Sequence, residues 1–225
     1  MGHGGWARTF LLVCVHEKEE RFVGAFKIFS AEFKASCGTV EQFLKPTLPE
    51  VAIVGRSNVG KSSAINCLVN HKGLAKVGKT PGKTQTINFF EIATNGPRFM
   101  LVDLPGYGFA KVPERIRELW GPLIEEYLRT RKNLQGVVVL VDSRRVQESD
   151  RAMVEWLMRL KIPVMVVATK ADKVTRGRRQ AALRELREGV GMEEDPLFLS
   201  AYTGEGRQEL LDQLREVLTL DAPLP

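Results

Sequence analysis

The chain has 225 residues, of which 44% are hydrophobic and 27% charged, as expected of a soluble globular protein with room for one α/β domain and its additions. Its net charge of +6 suits a polyanionic ligand such as a nucleotide or nucleic acid, but it equally serves solubility and does not choose between them. Three scattered cysteines (Cys14, Cys37, Cys67) exclude a disulfide framework and a C-x-x-C metal pair, and three histidines lack ligand spacing. No stretch approaches the ~18 apolar residues of a membrane span. Reducing cytosol is therefore the expected compartment.

Residues 1–25 form an atypical N-terminal extension. They read as an extra strand, a disordered tail or translated sequence upstream of the true start; Glu17, Glu19 and Glu20 argue against a cleaved organelle presequence. Residues 26–36 mix apolar and basic positions, and 40–48 hold a short helical turn. Residues 51–54 are a short apolar run read as a buried strand. The helix that begins at Lys61 carries Ala64, Ile65, Leu68 and Val69 at amphipathic spacing and stops by Gly73. Residues 74–86 have few large apolar groups and read as a loop. Strands are predicted at 87–92 and 99–102, joined by a hairpin at Asn95-Gly96. Residues 114–132 look helical, bent or interrupted at Gly121-Pro122. Further strands are expected at 137–141, 163–168 and 197–199, and helices at 147–160, about 175–188 and 205–219, with a tail at 221–225. This alternation predicts one α/β domain over 26–220: a mostly parallel six-stranded sheet with helices on both faces.

The residues that carry chemistry follow strand ends. Gly55, four residues, then Gly60-Lys61-Ser62 make the G-x-x-x-x-G-K-[ST] phosphate loop, spanning Gly55, Arg56, Ser57, Asn58, Val59, Gly60, Lys61, Ser62 and Ser63. Glycines let backbone amides turn inward around a polyphosphate, and the helix start offers unpaired N–H groups. Lys61 can reach the β- and γ-phosphates, and the Ser62 hydroxyl can ligate Mg²⁺. Asp103, ending a buried strand before Pro105-Gly106, can hold Mg²⁺ through water, while the Gly106 N–H can face the γ-phosphate. Thr169-Lys170-Ala171-Asp172 ends another strand. The Asp172 carboxylate can accept from N1–H and the exocyclic amine of guanine, whereas adenine would set acceptor against acceptor. The Lys170 stem can cover the base face. Ser200-Ala201 ends the next strand, where backbone N–H groups can reach the base carbonyl. A threonine of the 80–86 stretch can complete Mg²⁺ coordination; Thr80, Thr84 and Thr86 compete, with Thr84 favoured.

The order GRSNVGKSS, KTPGKTQTINFF, DLPGYGFA, TKAD and SA resembles the small ribosome-biogenesis GTPases called EngB (also YihA or YsxC), within the TrmE-Era-EngA-like P-loop GTPases. The resemblance covers roughly residues 26–220 and implies the P-loop NTPase fold of a Ras-like G domain. It implies a cytoplasmic GTPase that binds GTP and GDP and hydrolyses GTP as a release or checkpoint switch in assembly of the large ribosomal subunit. The implied partners are that subunit's precursor and its rRNA. No DNA partner is expected, and the chain is expected to be a monomer. Many members have Asn where Thr169 stands, a variation the family shows.

In Ras-like proteins a glutamine after the second-switch glycine orients the attacking water; Tyr107 stands there in this chain. Slow intrinsic turnover follows, raised by a partner that orders the switches, with Lys61, Gly106, Asn58 and Thr84 as the catalytic set. The resemblance extends to GTPases in which K⁺ bridges the phosphates, which makes Asn58 a candidate ligand for it. Arg56 is a second possible source of charge. Basic clusters at Lys111, Arg115 and Arg117, at Arg129, Arg131 and Lys132, and at Lys173, Arg176, Arg178, Arg179, Arg184 and Arg187 suit rRNA phosphates or a solvated face. The rival reading is a guanine-nucleotide-gated module for a protein or membrane partner, for example in cell division, with negligible turnover.

Overall fold

The computed structural model describes residues 24–75, 86–107 and 116–219, with side chains from residue 121 in the last segment. Positions 1–23 of the extension and the tail at 221–225 lie outside them.

Among the described residues the strands are β1 (Ile28–Cys37), β2 (Glu50–Gly55), β3 (Ile87–Thr94), β4 (Phe99–Asp103), β5 (Leu134–Asp142), β6 (Val164–Thr169) and β7 (Leu197–Leu199). The helices are α1 (Lys61–Leu68), α2 (Ile116–Thr130), α3 (Glu148–Arg159), α4 (Arg179–Val190) and α5 (Arg207–Thr219). The sheet order is β1-β3-β4-β2-β5-β6-β7. β1, β3 and β4 form an antiparallel run, and every pairing from β4 through β2 to β7 is parallel. β2 pairs with β4 on one side and β5 on the other, so the chain reverses its direction of travel across the sheet at β2. Ligands of open α/β sheets bind outside the carboxyl end of such a strand.

The apolar runs explain the layers. Along β5, Val137, Val139 and Val141 enter one core with Tyr127, Leu128, Met153, Leu157 and Leu186, while Val138 and Leu140 enter the other with Ile65, Leu68, Leu210, Leu211 and Leu214. A strand buried on both faces must be apolar at nearly every position. α2, α3 and α4 therefore cover one face, and α1 and α5 the other.

Two expectations change. The described residues form a seven-stranded sheet where six strands were expected, because residues 28–37 pair with β3 at the sheet edge. Register shifts at Ile28/Ser30 and Phe33/Ala35 break the alternation of two, and Phe29 and Phe33 face solvent, so no strand pattern survives in the sequence. The basic helix expected from 175 is a 3-10 turn at Arg176–Arg178 running into α4. The interruption at Gly121-Pro122 is present: Gly121 has φ 70 and ψ 148 inside α2. Among the described residues no helix is long and apolar enough to cross a membrane.

Candidate functional site

The carboxyl ends of β2, β4, β5, β6 and β7 deliver Gly55, Asp103, Asp142, Thr169 and Leu199 to one edge of the sheet. After Gly55 the chain turns through Arg56–Val59, with the Val59 N–H donating to Arg56 O at 3.1 Å. A Cβ at Gly55 would sit 2.9 Å from Leu140 O, so only glycine lets β2 leave the sheet that close to β5. Gly60 has φ 104, a left-handed conformation that side chains rarely adopt, and α1 begins at the next residue. The first helical bond runs from Ala64 N–H to Gly60 O at 2.8 Å. The N–H groups of Lys61, Ser62 and Ser63 precede it and form the open mouth of the helix.

Lys61 and Asp103 form an ion pair, and Asn88 Nδ2 lies 3.4 Å from the other Asp103 oxygen. The chain after Asp103 is stitched to the phosphate loop. Tyr107 N–H donates to Gly55 O at 3.3 Å, and Ser57 N–H donates to Tyr107 O at 3.0 Å. A Cβ at Gly106 would lie 3.3 Å from Ser57 Oγ, so Gly106 sits directly against the loop.

Tyr107 does not face this edge. Its side chain is buried and its hydroxyl donates to Asp150 Oδ1 at 3.0 Å. Arg56 Nε lies 3.0 and 2.9 Å from the two oxygens of the same carboxylate. Asp150 is fully buried in the first turn of α3 and also accepts the Gln147 N–H at 2.9 Å. Burial pushes the Asp150 carboxyl above the usual carboxylate range against the pull of its donors. Burial, followed by the Asp150 charge, pushes the Tyr107 phenol well up. Arg56 is thus committed to α3, a side-chain role that the sequence alone left open.

Beside the helix mouth lies a cleft of about 390 Å³. Gly60, Ser63 and Ala64 form one wall, Thr169, Lys170, Asp172 and Lys173 another, and Leu199, Ala201 and Tyr202 the third. The Thr169 hydroxyl lies 2.7 Å from Val59 O and 3.0 Å from Val141 O, tying β6 to the phosphate loop. Lys170, at φ 60, reaches across the loop: its ammonium donates to Asn58 O at 2.9 Å and to Asp142 Oδ2 at 3.0 Å. Burial acts to raise the Asp142 carboxyl, but hydrogen bonds from Arg144 and Lys170 hold it well below the usual carboxylate range. The buried Ser200 hydroxyl donates to Asp172 Oδ1 at 2.8 Å and lowers that carboxyl's pKa. Asp172 is thereby held ionised and oriented, the state an acceptor of two N–H groups requires.

The structure therefore gathers the phosphate loop, Asp103, Gly106, Lys170, Asp172, Ser200 and Ala201 along one edge. Thr169 is there too, with its hydroxyl spent on the backbone. Thr84 and its rival Thr80 lie outside the described residues. Thr86 is described: its hydroxyl is buried without a hydrogen-bond partner among the described residues, and its methyl faces Gly38. Sequence reading missed Asp142, Asp150 and Tyr202, none of which sits in a recognisable motif. It also offered Arg131 to rRNA, but Arg131 is buried, paired with Glu50 and stacked by Phe89 and Tyr127. Of the 173–187 cluster, Arg178 pairs with Glu185, Arg179 with Glu205 and Arg187 with Asp195. Arg176 and Arg184 are exposed. Lys111, Arg115 and the Arg117 side chain lie outside the described residues.

Ser62 and Asp103 suit Mg²⁺, because hydroxyl and carboxylate are hard oxygen donors. Among the described residues no cluster of three or more His, Cys, Asp or Glu could hold a metal by itself. Such a pair fits an ion that completes its shell with phosphate and water.

A family profile described as 50S ribosome-binding GTPase matches residues 50–170. The chain is 51% identical over 189 residues to the GTP-binding protein EngB of Pelotomaculum thermopropionicum, covering 83% of this chain and 94% of that protein. It is 48% identical over 194 residues to EngB of Geobacter metallireducens, covering 85% and 94%. Among solved structures, one of an EngB GTP-binding protein superposes with a TM-score of 0.56 at 26% identity, covering 75% of this chain and 98% of that one. The cytosolic domain of the T. maritima FeoB iron transporter, in a GDP form, superposes at 0.54 with 25% identity, covering 79% and 66%. On these grounds the chain belongs to the EngB family of GTP-binding proteins.

Proposed function

We propose that this protein binds GTP and GDP, hydrolyses GTP to GDP and phosphate, and acts in the cytoplasm as a nucleotide-operated switch in assembly of the large ribosomal subunit. The carrying observation is the Ser200-held Asp172 carboxylate in a cleft that opens onto the mouth of α1. That pairing sets a guanine-selective acceptor beside a polyphosphate cradle. The ribosomal part rests on the family, whose matching profile is named for 50S binding.

In the nucleotide-bound state the Lys61 ammonium exchanges Asp103 for the β- and γ-phosphates, and the loop N–H groups orient the chain of phosphates. Ser62 and Asp103 would hold Mg²⁺, which when bound would supply charge neutralisation at the phosphates. Gly106 N–H faces the γ-phosphate and reports its loss to the segment that follows. Tyr107, turned to Asp150, places no amide near the attacking water, so intrinsic turnover is slow and a partner raises it. Exposed Arg176 and Arg184 are the candidates for rRNA phosphate contacts.

Co-sedimentation with large-subunit precursors tests this reading. Association that depends on the bound nucleotide and weakens with salt is expected. Failure to associate in every nucleotide state would favour a gated module with little turnover, a reading to which the burial of Tyr107 lends weight.

A further inference from the structure

The turn after β7 presents an aromatic ring to the base cleft. Tyr202 lines that cleft and is 89% exposed, more than any other large hydrophobic side chain among the described residues. An aromatic ring left in water does no packing for the fold. Nor is the turn loosely tethered. Ser200 N–H donates to Glu205 O at 3.0 Å, Gly204 N–H to Ser200 O at 2.8 Å, and Thr203 N–H to Ser200 Oγ at 3.2 Å. Glu205 is itself clamped by Arg179. The same Ser200 whose hydroxyl holds Asp172 is therefore the hinge pin of the turn that carries Tyr202.

A purine is polar at its rim and apolar on its two faces. Asp172 addresses the rim. The Lys170 stem, stretched past Gly60 toward Asn58 and Asp142, offers an aliphatic surface. The remaining wall of the cleft supplies Tyr202. We infer that Tyr202 covers one face of the bound purine, a stacking residue that adds affinity for the base without choosing which base. The inference rests on the nucleotide reading above and deepens it. An aromatic face of this kind is sequence-tolerant, because every base has a π-face, and removing it weakens binding about tenfold.

The test is equilibrium titration of the full chain, with Mg²⁺, by GDP, inosine diphosphate and pyrophosphate. Tyr202→Ala is expected to weaken GDP and inosine diphosphate by the same factor, about tenfold, and to leave pyrophosphate unchanged. Tyr202→Phe keeps the ring and is expected to bind like the unaltered chain. Unchanged GDP affinity in Tyr202→Ala would overturn the inference and leave the ring as a surface for a partner. An equal loss for GDP and pyrophosphate would overturn it too, since that marks a collapsed turn. If the unaltered chain bound pyrophosphate but no guanine nucleotide, the nucleotide reading itself would fall, and this inference with it.

Discussion

Arg56, inside the phosphate loop, is ion-paired with Asp150, in the first turn of α3, with its Nε within 3.0 Å of both carboxylate oxygens. Tyr107, the residue that follows Gly106, donates to the same carboxylate. One buried acid thus joins three parts of the chain: the phosphate-loop motif after β2, the segment after β4, and a helix of the scaffold. The position that carries a water-orienting amide in Ras-like proteins carries an anchor in this one.

Tyr107→Phe keeps the ring and deletes the donor, leaving Asp150 short of one hydrogen bond. A loss of about 1–3 kcal/mol is expected, read as a lower urea midpoint. Tyr107→Gln is expected not to raise GTP turnover, because the amide inherits a buried direction away from the phosphates. A glutamine variant that hydrolysed GTP faster than the parent would show that this side chain does face the reaction.

Glu50 and Arg131 form another buried ion pair, at the end of the sheet remote from the cleft. Tyr127 donates to Glu50 Oε2 at 2.8 Å, and Arg131 also donates to Leu44 O at 2.7 Å. Arg131→Ala leaves a carboxylate buried and unpaired, and a loss of about 3–5 kcal/mol is expected in chemical denaturation. Pairing it with Glu50→Gln is expected to recover part of that loss. Were the single variant as stable as the parent, the burial of this pair would be wrong.

These two networks mark where sequence reading stops. The phosphate loop, Asp103 and the Thr169–Asp172 stretch were legible because each chemistry is written into contiguous residues at a strand end. Arg131, by contrast, sits in sequence between Thr130 and Lys132 and looks like part of a basic surface; its partner is 81 residues away. Arg56 and Asp150 are separated by 94 residues, and nothing local marks either as buried. β1 escaped notice for a different reason. An edge strand with exposed phenylalanines and two register shifts lacks the alternation by which strands are read.

Asp142 gives a pH prediction. Its folded pKa is depressed, so its contribution to stability is present above the unfolded value, near 3.9, and is lost as pH falls toward the folded one. Asp142→Asn is therefore expected to flatten the loss of stability below about pH 4, measured as urea midpoint against pH. Curves that stay parallel down to pH 2 would remove Asp142 from the acid limb.

Lys61→Ala removes the ammonium that the phosphates would take over from Asp103. Guanine nucleotide affinity is expected to fall at least tenfold, since hydrogen bonds to charged groups contribute about 1.5–3 kcal/mol each. The same titrations of the parent in K⁺ and in Na⁺, followed by hydrolysis rates, examine Asn58. Faster turnover in K⁺, lost in Asn58→Ala, is expected from a bridging cation; equal rates in both salts would dismiss it.

Asp172→Asn tests the base assignment through a change of preference as well as a loss. On the proposed reading the carboxylate would accept from two donors on guanine; the Ser200 hydroxyl keeps it aimed. An amide in its place turns one acceptor into a donor, which then opposes the exocyclic amine of guanine. Xanthine carries a carbonyl at that position, so the amide matches it. GDP affinity is expected to fall by at least about tenfold, the cost of a mispaired polar group at a partly desolvated site. Xanthosine diphosphate affinity is expected to rise above the parent's in the same titration. Because Lys61, Gly60 and the mouth of α1 are untouched, pyrophosphate binding is expected to stay constant. A variant that lost GDP without gaining the xanthine nucleotide would place the base somewhere other than against residue 172.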